Sequence, residues 1–451
     1  MRPYKVLLFI LACFGALALL CVALPQHVDI GERSLKWPTL AEVLGAEKAD
    51  MPEISDSLDM AENLETLETP EIPETPAPPK PSPAPKKIVK TPEVIVPKVV
   101  VDSTFDCREF LRPFYEVLSE SNQHVIRVLH YGDSQIEEDR MTQQIREALQ
   151  ARYGGAGVGL LPLAQTIPSR SVKQQLFMND RSVSPTHGPR RYMVYASQRD
   201  RRADRRYGVM GQMAEMNDSL VHGSEEIMAV CTPQGINARY KQWKVFADSS
   251  IYYATHGDTI WLEGRGGVYG LSQQTETGVI VDNIPMRGSL GTVFTKIDKE
   301  QLQTFYEQEN VRLIILQFGG NAIPFNKNPG TIVSIVNGLR EQVRYLKRRA
   351  PQASILFIGP SDMVTQIDGE KKTYPMIPYM DRLLRKMALE ENIAYFSLYR
   401  WMGGSGSMKR WQEVGLASSD GVHFMRSGAR KAGNAVANWI LEGMDKEKTK
   451  E

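Results

Sequence analysis

The sequence predicts an α/β fold, a parallel sheet with helices on both faces in three layers, interrupted by an all-β insertion. Three observations predict it. Apolar runs at 125–131, 311–318, 354–358 and 393–398 are near-continuous rather than alternating, the pattern of strands buried on both faces. Each run is followed by a segment of helical periodicity, at 136–152, 331–349, 379–391 and 427–441, so strand and helix alternate as in crossover units. Between 166 and 277 that alternation stops. Short runs at 191–196, 226–231, 243–247 and 259–262, separated by Gly, Asp, Asn and Ser, read as an inserted all-β, sandwich-like domain.

The flanks of this body have their own logic. Arg2 and Lys5 precede an unbroken apolar run from Val6 to Leu24, long enough to span a bilayer as a helix. The positive end favours the cytoplasmic side, which places the rest of the chain outside. A retained anchor over 1–25 is the preferred reading; Val22-Ala23-Leu24-Pro25 offers a processing site, and Ile10-Leu11-Ala12-Cys13 loosely resembles a lipoprotein one. Residues 26–101 form a disordered tether, densest in Pro, Glu, Thr and Lys over 50–98, a composition that favours an extended polyproline-like chain. The folded body then divides into 102–165, the insertion at 166–277, and 278–451.

Composition narrows the function. The 451 residues are 42% hydrophobic and 24% charged, which suits a sizeable core. Lys plus Arg number 54 against 53 Asp plus Glu, and a net charge of +1 argues against nucleic acid as a partner. Four cysteines, two of them (Cys13 and Cys21) inside the apolar run, exclude a disulfide scaffold. Cys107 and Cys231 read as buried thiols, with one bridge as the alternative.

Three short segments fall at or beyond strand ends, where an α/β sheet places its site. Gly132-Asp133-Ser134 follows the first strand, putting a serine hydroxyl on a tight strand-to-helix turn; Asp and Ser are also ordinary helix caps. Gly319-Gly320-Asn321 follows the 311–318 strand and can aim a side-chain amide at a developing oxyanion, although a Gly-Asn turn there is common. Asp420-Gly421-Val422-His423 precedes the last helix and supplies a base with an acceptor for its second ring nitrogen. Each is weak alone. Their order along the chain is what carries the chemistry.

Taken together, these segments resemble the blocks of the SGNH, or GDSL, hydrolase superfamily. The resemblance implies a flavodoxin-like α/β/α fold with Ser134 as nucleophile, His423 as base and Asp420 as its orienting acid. It also implies an oxyanion hole made by the Ser134 N–H, the Asn321 amide and a block-two glycine. That glycine falls on Gly288 in Asp282-Asn283-Ile284-Pro285-Met286-Arg287-Gly288, with Gly291 as the alternative. Ala322 departs from the Asp that many members carry after the Asn. The inserted β-domain, with Met402-Gly403-Gly404 and Trp411 ahead of the last block, is similar to bacterial cell-wall O-acetylesterases, whose insertion resembles a carbohydrate-binding module.

The activity so implied is a serine esterase removing O-acetyl groups from an envelope polysaccharide such as peptidoglycan, through an acetyl-serine intermediate. No metal or organic cofactor is called for. A glycan O-acetyltransferase supplied by a membrane acyltransferase would use the same serine, and a non-catalytic glycan-binding scaffold is a third possibility. Several other residues invite a role. His130 is a rival base, though a buried structural histidine is the commoner reading. The run Arg199-Asp200-Arg201-Arg202-Ala203-Asp204-Arg205-Arg206 reads as a solvated face before an anionic-glycan site. Trp243, Tyr252, Tyr253 and Trp261 read as core before sugar platforms, and Trp401 and Trp411 are expected to line the site.

Overall fold

The computed structural model describes residues 27–30, 33–36, 107–163, 168–178, 181–183, 215–216, 226–234, 242–247, 249, 251–264, 266–297 and 299–448. The apolar run 6–24, the tether 50–98, the 191–196 run and the arginine-rich 199–206 lie outside them. Among the described residues no helix is long and apolar enough to cross a membrane. The N-terminal unit, 1–87, contributes one antiparallel hairpin, His27–Ile30 with Arg33–Lys36.

The second unit opens with a short helical segment and then β1 (Val125–Gly132) and α1 (Thr142–Tyr153). Antiparallel strands follow: β2 (Gly159–Leu161), β3 (Val172–Met178), β4 (Glu226–Pro233), β5 (Trp243–Ala247), β6 (Ile251–His256), β7 (Thr259–Gly264) and β8 (Gly266–Gln273). The chain returns to the α/β body through β9 (Gly278–Pro285), α2 (Lys299–Gln308), β10 (Val311–Gln317) and α3 (Pro329–Arg349). It finishes with β11 (Ser354–Gly359), α4 (Ile377–Glu390), β12 (Ala394–Ser397) and α5 (Arg426–Lys448).

The central sheet is parallel throughout, ordered β9-β1-β10-β11-β12. Alternate side chains of its strands divide between two cores. Leu129, Tyr131, Ile314, Leu316, Ile355 and Phe357 pack towards α2, α3 and α4. Ile126, Val128, Leu313, Ile315, Leu356 and Ile358 pack towards α1 and α5. These are the three layers, and they explain why the strands read as unbroken apolar runs. The order reverses at β1: the chain leaves it for β9 on one side and then β10 on the other. A crevice at the carboxyl ends of β1 and β10 follows from that switch, and ligands bind in such crevices.

Between β1–α1 and β9 the strands form two antiparallel sheets, one containing β6-β7-β4-β3 and one in which β8 pairs with β2 and β5. They share a core that includes Leu161, Val172, Ala229, Val245, Ile260 and Leu271. Antiparallel pairing starts at Gly159, seven residues before the predicted insertion. A buried ion pair anchors this region to the parallel sheet: Arg127 Nη1 on β1 donates to Asp282 Oδ2 on β9 at 2.7 Å, and Asp282 Oδ1 accepts from Leu160 N at 2.8 Å. Arg127 Nη2 also pairs with Glu309 Oε2 at 3.2 Å, so removing Arg127 leaves the buried Asp282 without its cation, a loss of roughly 3–5 kcal/mol.

Two sequence expectations are corrected. The helix expected over 136–152 begins at Thr142. Glu137 leaves the helical path (φ −53°, ψ 159°), and Glu138 and Asp139 both take φ of 61°, left-handed backbone that an α-helix excludes. Trp401 and Trp411 do not line the crevice. They stack edge to face at 5.6 Å, and Trp411 packs 5.1 Å from Phe424 within the α5-side core. Cys107 and Cys231 are buried, and burial pushes the Cys231 thiol up to about 12.

Candidate active site

The first functional turn follows from a close approach. β1 ends at Gly132, where a Cβ would sit 2.9 Å from Ile136 Cδ1 and force that side chain to shift. Asp133 N–H donates to Gln317 O on the neighbouring strand at 3.2 Å, and Asp133 Oδ1 caps the turn by accepting from Gln135 N at 3.0 Å. Ser134 therefore opens a short 3₁₀ turn rather than a continuous helix.

The second turn stands over the first. Asp420 Oδ1 accepts from Val422 N at 2.8 Å and His423 N at 3.0 Å, closing an Asx-type turn around Gly421, whose φ of 71° suits glycine. Asp420 Oδ2 is left for His423 Nδ1 at 2.7 Å. With Nδ1–H donating to the carboxylate, Nε2 is the acceptor for the Ser134 hydroxyl, 2.9 Å away. Burial alone raises the Asp420 carboxyl, but the hydrogen bonds from the His423 ring and from the two N–H groups outweigh it. The net shift is downward and keeps Asp420 ionised. Gln135 joins the two turns by donating from Nε2 to Val422 O at 2.6 Å.

Asn321 comes from the turn after β10. Its Nδ2 donates to Ser289 O at 3.1 Å and to Asp133 Oδ2 at 3.3 Å, beside Ser134. Gly288 lies in the loop after β9, and among the described residues its N–H, like that of Ser134, has no hydrogen-bond partner. Gly291 differs. Its N–H donates to Ser289 Oγ at 3.0 Å, and a Cβ there would meet the Phe318 ring at 2.6 Å, so its lack of a side chain serves packing.

Ser134, Asn321, Asp133 and Gln135 line a cavity of about 230 Å³. Pro324, Phe325, Pro360, Met363 and Val422 supply its apolar wall, and Phe325 is 86% exposed at the mouth. Burial raises Asp133 to about 6 against the hydrogen bond from Gln135 N and the proximity of His423. Among the described residues, no group of His, Cys, Asp and Glu could hold a metal ion.

The structure brings Ser134, His423, Asp420 and Asn321 together and keeps His130 apart. His130 is wholly buried on β1, with Nε2 3.2 Å from Gln317 Oε1 and Nδ1 2.9 Å from Thr142 Oγ1. Burial depresses it to about 3. Trp243 is core, donating from Nε1 to Gly257 O at 2.9 Å, whereas Tyr252, Tyr253 and Trp261 are exposed. The sequence reading gave no role to Gln135 or Phe325, and neither carries a local signal.

Ser134, His423 and Asp420 form a hydrogen-bonded chain at the switch point of a parallel sheet, a geometry suited to a serine hydrolase. The solved structure of a peptidoglycan O-acetylesterase superimposes on 75% of this chain and 96% of its own, with a TM-score of 0.55 at 18% identity. An acetyl xylan esterase structure covers 36% of this chain and 80% of its own, with a TM-score of 0.26 at 14% identity, too low to weigh. No known family model matches the sequence, and no curated protein does. At such identity the likeness establishes the fold alone.

Proposed function

We propose that this chain is an extracytoplasmic serine esterase that removes O-acetyl groups from an envelope polysaccharide such as peptidoglycan. The observation that carries the chemistry is the relay Ser134–His423–Asp420, at 2.9 and 2.7 Å, opening into a cavity with Asn321 on its wall. The acetylated glycan as substrate rests on the resemblance and on the named activity of the structural relative. The small, apolar-walled cavity suits a short acyl group. The apolar run 6–24 and the Pro-rich tether support a membrane-anchored, outward-facing body.

Ser134 Oγ attacks the acetyl carbonyl while its proton passes to His423 Nε2, and Asp420 stabilises the imidazolium. The N–H groups of Ser134 and Gly288 and the Asn321 amide hold the oxyanion. Asn321 exchanges its 3.3 Å contact with Asp133 for that oxygen. Collapse breaks the ester bond, and His423 returns the proton to the departing sugar hydroxyl. Water, deprotonated by His423, then cleaves the acetyl-serine and releases acetate.

The same intermediate could pass its acetyl group to a glycan hydroxyl, with a membrane acyltransferase as donor, so the test counts acceptors. The purified chain is incubated with an acetylated glycan and a deacetylated acceptor. Acetate accumulating in step with ester loss, and abolished by Ser134→Ala, is the expected result. Acetyl groups conserved on the acceptor would make the chain a transferase, and no turnover by wild type would make it a glycan-binding scaffold.

A further inference from the structure

We propose that Glu137 and Arg287 form a positioning pair that fixes the Gly288 amide against Ser134 and thereby sets the oxyanion hole. This rests on the serine-esterase reading. Glu137 lies three residues beyond the nucleophile, where the chain departs from helical geometry, and is only 2% exposed. Burying a carboxylate costs several kcal/mol unless it is paired. Both of its oxygens are held by one guanidinium: Arg287 Nε to Oε1 and Nη2 to Oε2, each at 2.6 Å. Such a two-pronged pair fixes angle as well as distance.

Arg287 immediately precedes Gly288. Its side chain is 68% exposed, and Glu137 is its only hydrogen-bond partner among the described residues. The bond therefore joins the turn after β1 to the loop after β9, two strands that end side by side. The remaining ties of that loop lie on either side of Gly288. Met286 N donates to Gly132 O at 2.7 Å, Ser289 N donates to Met286 O at 3.0 Å, and Ser289 O accepts from Asn321. Among the described residues the Gly288 N–H has no hydrogen-bond partner, so its amide is held where it is by these anchors. Arg287 is the anchor that reaches the nucleophile's own turn through a side chain.

The test compares an acetyl ester with its thionoester on the full chain, for wild type, Glu137→Gln, Arg287→Lys, Arg287→Ala and the double variant. Sulfur accepts hydrogen bonds weakly, so thionoester turnover depends less on the hole. Ester kcat is expected to fall about 10- to 100-fold in Glu137→Gln and Arg287→Ala, with KM within about threefold and the ester-to-thionoester ratio falling in parallel. Arg287→Lys is expected to recover part of the loss, and the double variant to be no worse than either single one. If a single variant fails to fold because it strands a buried group, the double variant decides, since it removes the carboxylate and the guanidinium together. Unchanged ester kcat in Arg287→Ala, or a loss shared equally by ester and thionoester, overturns the proposal. Absence of wild-type turnover sinks the esterase reading and the pair's role with it. Turnover that Ser134→Ala abolishes but Arg287→Ala leaves intact sinks the pair alone.

Discussion

Two histidines stand close to the same nucleophilic turn and have opposite fates. His130 lies on β1 beneath it, wholly buried, its ring nitrogens facing Gln317 and Thr142 and its basicity depressed to about 3. His423 lies in the turn above, its side chain about one-third exposed, between the Asp420 carboxylate and the Ser134 hydroxyl. Nearness in sequence favours His130, four residues before the serine. Geometry favours His423, 289 residues after it. The lesson is that a base needs a charged partner and room to take up a proton, and a strand interior offers neither.

That contrast can be broken by mutation. His423→Ala is expected to reduce ester turnover by about 10⁴-fold or more, as loss of a relay member does. His130→Gln should stay within roughly tenfold of wild type while destabilising the fold by about 1–3 kcal/mol, the cost of disturbing a buried hydrogen-bonded group. The two are separated by steady-state kinetics and urea unfolding on the same preparations. Equal kinetic losses would mean that the two histidines act as one system.

A smaller effect sharpens the comparison through pH. Asp133, between the two histidines in sequence and structure, is raised by burial to about 6 from 3.8. A carboxyl so shifted contributes stability that is present below its unfolded pKa and lost as pH rises through the folded value. Wild type should therefore lose on the order of 2–3 kcal/mol relative to Asp133→Asn between pH 4 and about 7. Urea midpoints across that range check the sign. A difference independent of pH would show that Asp133 is already ionised at the lower end.

Much of the fold was legible because both faces of the sheet are buried. Strands such as 311–318 then read as plain apolar runs. The strand Gly278–Pro285 escaped because Asp282 and Asn283 interrupt it, and the interruption makes sense only in three dimensions, where Asp282 meets Arg127 and Leu160 N. Helix α2 escaped for a related reason: only Leu302, Phe305 and Tyr306 of its ten residues are buried. Ser134, Asn321, Asp420 and His423 were legible since each sits in a short turn with its own local pattern. Glu137 and Arg287 were not, being 150 residues apart with no local signature. The acidic triplet Glu137-Glu138-Asp139 falls inside the helix expected over 136–152. In the fold each member has a separate cation: Arg287 for Glu137, Arg170 for Glu138 and Arg146 for Asp139.

The central claim is that Ser134 carries the acyl group. Intact-mass analysis of the protein quenched during turnover of an acetyl ester tests it directly. The expected result is an added acetyl mass that maps to the peptide containing Ser134 and is absent from Ser134→Ala. Turnover without any adduct, or an adduct that survives in Ser134→Ala, would contradict it.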